Sequence, residues 1–143
     1  MGEMTDRQFQ ILLIEDDADD AELTLHALRK LKLSRPIVHI DDGEKALELL
    51  FGPQPSPSLI LLDLKMPRVD GIQILRKLKE DPEKSKIPVV ALISSREGRS
   101  YVESFDLRAD AYMIKPVDFS QFAAAIDHIG IRAQVFTRPS EDK

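Results

Sequence analysis

Two uninterrupted apolar runs end in acid: Ile11-Leu12-Leu13-Ile14 leads straight into Glu15 and Asp16, and Leu59-Ile60-Leu61-Leu62 into Asp63. A strand with one solvated face alternates apolar and polar residues, so four large apolar side chains in a row need apolar cover on both sides. A parallel sheet between two layers of helices provides it. Strand-like runs near residues 9–15, 36–41, 59–63, 88–93 and 110–115 are separated by intervals long enough for crossover helices. The expected fold class is therefore α/β, a doubly wound five-stranded parallel sheet. The C-terminal ends of such strands open onto one crevice. Glu15, Asp16 and Asp63 should meet there with Lys115, which closes the fifth run.

The intervening segments carry helical spacing. Ala21, Leu25 and Leu28 recur along 19–32 behind an Asp19-Asp20 pair whose charge suits a helix N-terminus. Ile72, Leu75 and Leu78 form a second stripe. Phe119, Phe122, Ile126 and Ile129 form a third, with Asp118 or Ser120 as candidate caps. All three stripes read as core. Gly52-Pro53-Gln54-Pro55-Ser56-Pro57-Ser58 reads as a loop, because proline removes amide donors and fixes φ. One domain is expected over 9–130, with 131–143 as a C-terminal extension and tail; Gly130 to Phe136 fits either helix or coil, and Thr137 to Lys143 reads as frayed.

The 143 residues, 43% apolar, can bury one core and little more. With 25 acidic against 20 basic residues, a net charge of −5 and no basic block, the chain lacks the usual nucleic-acid footprint, and no direct DNA binding is expected. The absence of cysteine excludes thiol catalysis and thiolate metal sites. The N-terminus has no basic and apolar targeting pattern, and no run approaches the roughly 20 residues of a membrane span. A soluble, cytoplasmic protein without membrane contact is the expectation.

Ile11 to Asp17, Asp63-Leu64-Lys65-Met66-Pro67 with Asp70-Gly71, and Lys115-Pro116, in this order, resemble the receiver domain of bacterial response regulators. More narrowly, Asp42-Gly43-Glu44-Lys45-Ala46-Leu47, the long loop after Phe51-Gly52, and Lys115-Pro116-Val117-Asp118-Phe119 resemble stand-alone phytochrome-associated receivers. The resemblance implies a flavodoxin-like (βα)5 sheet with strand order 2-1-3-4-5. It also implies two-component signalling: a sensor histidine kinase, of the phytochrome type on the narrower likeness, passes a phosphoryl group to Asp63, which changes binding to a downstream protein.

Carried over residue by residue, Glu15, Asp16, Asp63 and the backbone carbonyl of Lys65 would hold Mg²⁺, whose preferred ligands are oxygens. Lys115 would pair with the phosphoryl group, and Tyr112 aligns with the switch aromatic. The family implies a cis Lys115-Pro116 bond, although trans is the statistical default. The related phytochrome receivers dimerise through the last helix and an extension, for which Ile129, Ile131, Val135 and Phe136 offer an apolar patch here; the alternative is that these residues fold back onto the core.

One position departs from the family. The threonine or serine expected after the fourth apolar run falls on Ile93, which has no hydroxyl to donate to a phosphoryl oxygen. Ser94 could replace it if a bulge turned its side chain inward. A second reading is therefore kept: a pseudo-receiver, a binding module whose output does not depend on phosphate. An aspartyl phosphatase would need an acid where Lys65 stands, and a nucleotide-binding enzyme a phosphate loop after the first strand; neither is present. The chain is not expected to be an enzyme. His26, His39 and His128 lack ligand spacing and read as structural or solvated. Met113 and Phe105 read as core, Asp17 as a solvated acid or a helix cap, and Arg96, Arg99 and Arg108 as a solvated basic face or a partner surface.

Overall fold

The computed structural model describes residues 11–29, 37–66 and 70–131. The chain alternates strand and helix throughout: β1 (Ile11–Ile14), α1 (Ala18–Arg29), β2 (Ile37–Ile40), α2 (Gly43–Leu50), β3 (Leu59–Asp63), α3 (Gly71–Glu80), β4 (Val89–Ile93), α4 (Glu97–Glu103), β5 (Ala111–Ile114) and α5 (Phe119–Ile129). A single 3₁₀ turn, Lys84–Lys86, precedes β4. The strands are parallel in the order 2-1-3-4-5, as the sequence led one to expect.

Every residue of β1, β3 and β4 is buried, which accounts for their unbroken apolar character. Successive side chains point to opposite faces and so build two cores. Leu12, Ile14, Ile60, Leu62, Ala91 and Ile93 pack with Ala46 and Leu50 of α2, Ile72, Leu75 and Leu78 of α3, and Val102 of α4. Ile11, Leu13, Leu61, Leu92 and Met113 pack with Ala21 and Leu28 of α1 and Phe122 and Ile126 of α5. Each of the Leu, Ile, Val, Met and Phe side chains among them contributes about 1.5–3 kcal/mol by leaving water.

Local chemistry fixes the helix ends. Asp42 accepts from the Glu44 and Lys45 amides. Asp70 and Gln73 form a reciprocal capping box on α3. Asp118, not Ser120, caps α5 by accepting from the Gln121 amide, and Gly130 ends that helix at φ 86°, a conformation natural to glycine. Residues 52–58 form no helix or strand.

Two of the expected core aromatics lie at the surface. Phe119 is 52% exposed. It opens α5 beside the strand ends, before the helix reaches cover from the sheet. Phe105 is 37% exposed, in the turn after α4, where it meets Tyr101 edge-to-face at 5.2 Å. Ile129 and Ile131 pack against their own core rather than standing free, and Val135, Phe136 and the tail lie outside the described residues. Among the described residues no helix is long and apolar enough to cross a membrane.

Candidate functional site

The C-terminal ends of β1, β3 and β5 bring the expected charged residues together. Glu15 follows β1 directly and extends its ladder, its amide donating to the Ile40 carbonyl at 3.1 Å. Asp63 is the last residue of β3, paired with Leu92 of β4. Glu15 is 0% and Asp63 2% exposed, whereas Asp16 is half-buried. One carboxylate oxygen from each of the three lies within 4.8 Å of the others. Three such hard oxygen donors can hold a divalent cation.

Lys115 follows β5, its amide donating to the Ile93 carbonyl at 2.8 Å, and the Lys115-Pro116 bond is cis. The ammonium donates to Asp20 at 3.0 Å and to Glu15 and Asp63 at 3.3 Å each. Burial alone would lower the lysine's proton affinity, but the Asp20 hydrogen bond and the charges of Asp63, Glu15 and Asp20 more than offset it and raise the group above its ordinary value. Glu15 is pushed up to about 8, first by burial, then by its hydrogen bond and charge interaction with Asp63; Lys115 and the Asp17 amide act in the opposite sense.

Several backbone groups fix this arrangement. The Asp17 amide donates to Glu15 Oε2 at 3.2 Å, and Asp17 in turn caps α1 by accepting from the Asp20 amide at 2.9 Å. The Lys65 amide donates to Asp63 Oδ1 at 3.3 Å. Gly71 explains the Asp-Gly pair: a Cβ there would stand 2.5 Å from the Asp63 carbonyl oxygen and from Leu64 Cα, so only glycine lets α3 start against the end of β3.

Beside Asp63 opens a cleft of about 700 Å³, whose walls include Lys65, Asp70, Ile93, Ser94, Glu97, Gly98 and Tyr101. Ile93 is 5% exposed and sits against the first turn of α4: a Cβ on Gly98 would meet its Cβ at 2.6 Å and its Cγ2 at 2.7 Å. β4 stays in regular register through Ile93, so there is no bulge. Ser94 lies just past the strand end, exposed, and lines the same cleft as Asp63. Ser95 hydrogen-bonds Glu97 and holds that exposed carboxyl below the usual range.

Tyr112 is half-buried; its hydroxyl accepts from the Ala109 amide at 3.1 Å and its ring faces the Arg99 guanidinium at 5.3 Å. Arg99 also pairs with Glu103 at 3.1 Å. Of the histidines, His39 has a structural contact: its Nε2 lies 2.8 Å from the Glu15 carbonyl, which can only accept, so the ring donates from Nε2. The contact agrees with the structural reading of His39, whereas sequence reasoning missed Asp20. For Asp20 the available signal was its place in the first turn of a helix that begins at the acidic strand end.

A doubly wound sheet with an acidic trio and a lysine at its carboxyl edge defines the class, and the comparisons supply the family. Residues 11–127 match the response regulator receiver domain. The chain belongs to this family, the receiver domain of two-component systems. It is similar in structure to the bacteriophytochrome response regulator AtBRR, with 43% identity, a TM-score of 0.80, and coverage of 86% of this chain and 93% of that one. For the bacteriophytochrome response regulator RtBRR the values are 42%, 0.82, 92% and 83%. Response regulator Rcp1 of Synechocystis sp. is 33% identical over 110 residues, covering 73% of this chain and 75% of that protein, and its Mn(2+)-bound crystal structure aligns with a TM-score of 0.67.

Proposed function

We propose that the chain is a phosphoacceptor: Asp63 takes a phosphoryl group from the phosphohistidine of a sensor kinase. The observation that carries this is the buried Asp63 carboxylate with the Lys115 ammonium at 3.3 Å and carboxylate oxygens of Glu15 and Asp16 close by. In the transfer an Asp63 oxygen forms the bond to phosphorus while the phosphorus–nitrogen bond to the kinase histidine breaks. Glu15, Asp16 and Asp63 would hold Mg²⁺, with the Lys65 carbonyl as a further ligand. The bound cation would offset the repulsion between carboxylate and phosphoryl oxygens. That Rcp1, a similar regulator, has a Mn(2+)-bound form supports divalent-cation binding by this chain. Lys115 meets the charge of the transferred group as a point cation.

The likeness to two bacteriophytochrome regulators supports a phytochrome-type kinase as donor. Of the hydroxyl residues that line the Asp63 cleft, Ser94, Ser95 and Tyr101, Ser94 directly follows Ile93 and is the one assigned to replace the family hydroxyl that Ile93 lacks. Phosphorylation then changes the packing around β4, α4 and Tyr112 and with it partner binding. Exposure to acetyl phosphate and Mg²⁺ should add one phosphoryl group to the intact mass, and Asp63→Asn should abolish the gain. No gain under conditions that modify a control receiver would overturn the proposal.

A further inference from the structure

Of the three contacts that the Lys115 ammonium makes among the described residues, the shortest goes to Asp20, which lies outside the acidic trio. An ammonium has three N–H donors, and here oxygens of three carboxyl groups receive them. Glu15 and Asp63 belong to the cluster whose oxygens converge within 4.8 Å, so a cation held there would draw on their lone pairs and repel the lysine. Two of the three contacts then weaken together. The lysine stem is flexible, and with those contacts weakened its ammonium would move toward water.

Asp20 is placed to prevent this. Its position is set by a closed ring of contacts: the Asp17 amide donates to Glu15, the Asp20 amide donates to Asp17, Lys115 donates to Asp20, and Lys115 also donates to Glu15. The first turn of α1 is thereby tied to the end of β5. We infer that Asp20 is a positioning residue, which keeps the Lys115 ammonium at the crevice when Glu15 and Asp63 turn to a divalent cation and so has it ready for an incoming phosphoryl group. The inference deepens the proposed function and, for its last clause, rests on it.

The experiment follows the Lys115 ammonium itself, by proton–nitrogen correlation in protein labelled with ¹⁵N-lysine. Spectra are taken with Mg²⁺ alone and with Mg²⁺ plus beryllofluoride, a phosphoryl mimic. Asp20→Asn keeps the side-chain shape, and the amide spectrum verifies folding. Asp19→Asn is the control: Asp19 is exposed on the same helical turn and has no side-chain hydrogen bond or ion pair among the described residues. In wild type and Asp19→Asn the slowly exchanging Lys115 signal should persist in Mg²⁺. In Asp20→Asn it should vanish, with beryllofluoride affinity lower by about two- to fivefold, the range expected of a partly exposed ion pair.

Retention of the signal in Asp20→Asn, its loss in wild type, equal losses in both variants, or tighter beryllofluoride binding by Asp20→Asn would each overturn the inference. Failure of wild type to take up beryllofluoride would instead remove the proposed function. The Mg²⁺ spectra would still decide the role of Asp20.

Discussion

Glu15 should make cation binding steeply dependent on pH. Its carboxyl is fully buried, and burial, reinforced by Asp63, raises it from an ordinary 4.5 to about 8 despite the opposing effects of Lys115 and the Asp17 amide. At neutral pH the cation-free site therefore holds a proton that Mg²⁺ must displace. For one group titrating there, apparent affinity falls below that of the ionised site by about tenfold at pH 7 and about a hundredfold at pH 6. Calorimetry at pH 7 in two buffers of unlike ionisation enthalpy should register release of about 0.9 proton per Mg²⁺ bound. Glu15→Gln removes the titrating group and should abolish the release. Near-zero release from wild type, with affinity flat between about pH 6 and pH 8, would refute the claim that Glu15 is held protonated. The sign for stability follows. A carboxyl raised in the folded state binds more protons there than in the unfolded chain. Its contribution is complete below 4.5 and disappears as the pH rises through about 8, so the cation-free protein should melt lower at alkaline than at mildly acidic pH. Saturating Mg²⁺ should restore part of the loss.

Gly71→Ala should destabilise by about 1–3 kcal/mol despite alanine's helix propensity, because the new Cβ meets backbone at 2.5 Å and backbone cannot rotate aside; a urea midpoint at or above wild type would contradict this. Ile93→Thr should lose about 1–2 kcal/mol in the same assay by trimming a core side chain and burying a hydroxyl. The same substitution tests the role of Ser94 by amide exchange with Mg²⁺ and beryllofluoride. If Ser94 supplies the hydroxyl, β4 and α4 gain protection in wild type, and Ser94→Ala loses the response unless Ile93→Thr accompanies it. Tyr112→Phe deprives the buried Ala109 amide of its acceptor and should cost about 1 kcal/mol, with faster hydrogen exchange at Ala109 as the local check.

The sheet was legible because its cause is local. Ile11–Ile14 and Leu59–Leu62 show by composition alone that both of their faces are covered, and once the strands are parallel, Glu15, Asp63 and Lys115 must gather at one edge. Caps such as Asp70 and Asp118 act on amides three residues away and can be read in the same manner. Phe119 marks where this reading fails, since helical period gives the face of a side chain but not whether the sheet extends far enough to cover it. The tertiary structure alone decided which acid the lysine prefers, because Asp20 and Lys115 are 95 residues apart and meet only when α1 and β5 converge on the same edge. It also decided how Ile93 is accommodated, through a glycine on the next helix whose missing Cβ leaves room for it. Sequence pattern determines which residues seek cover and which seek water. Distances of 3 Å between groups remote in the chain are set by how the helices pack on the sheet, and that packing is a property of the whole core.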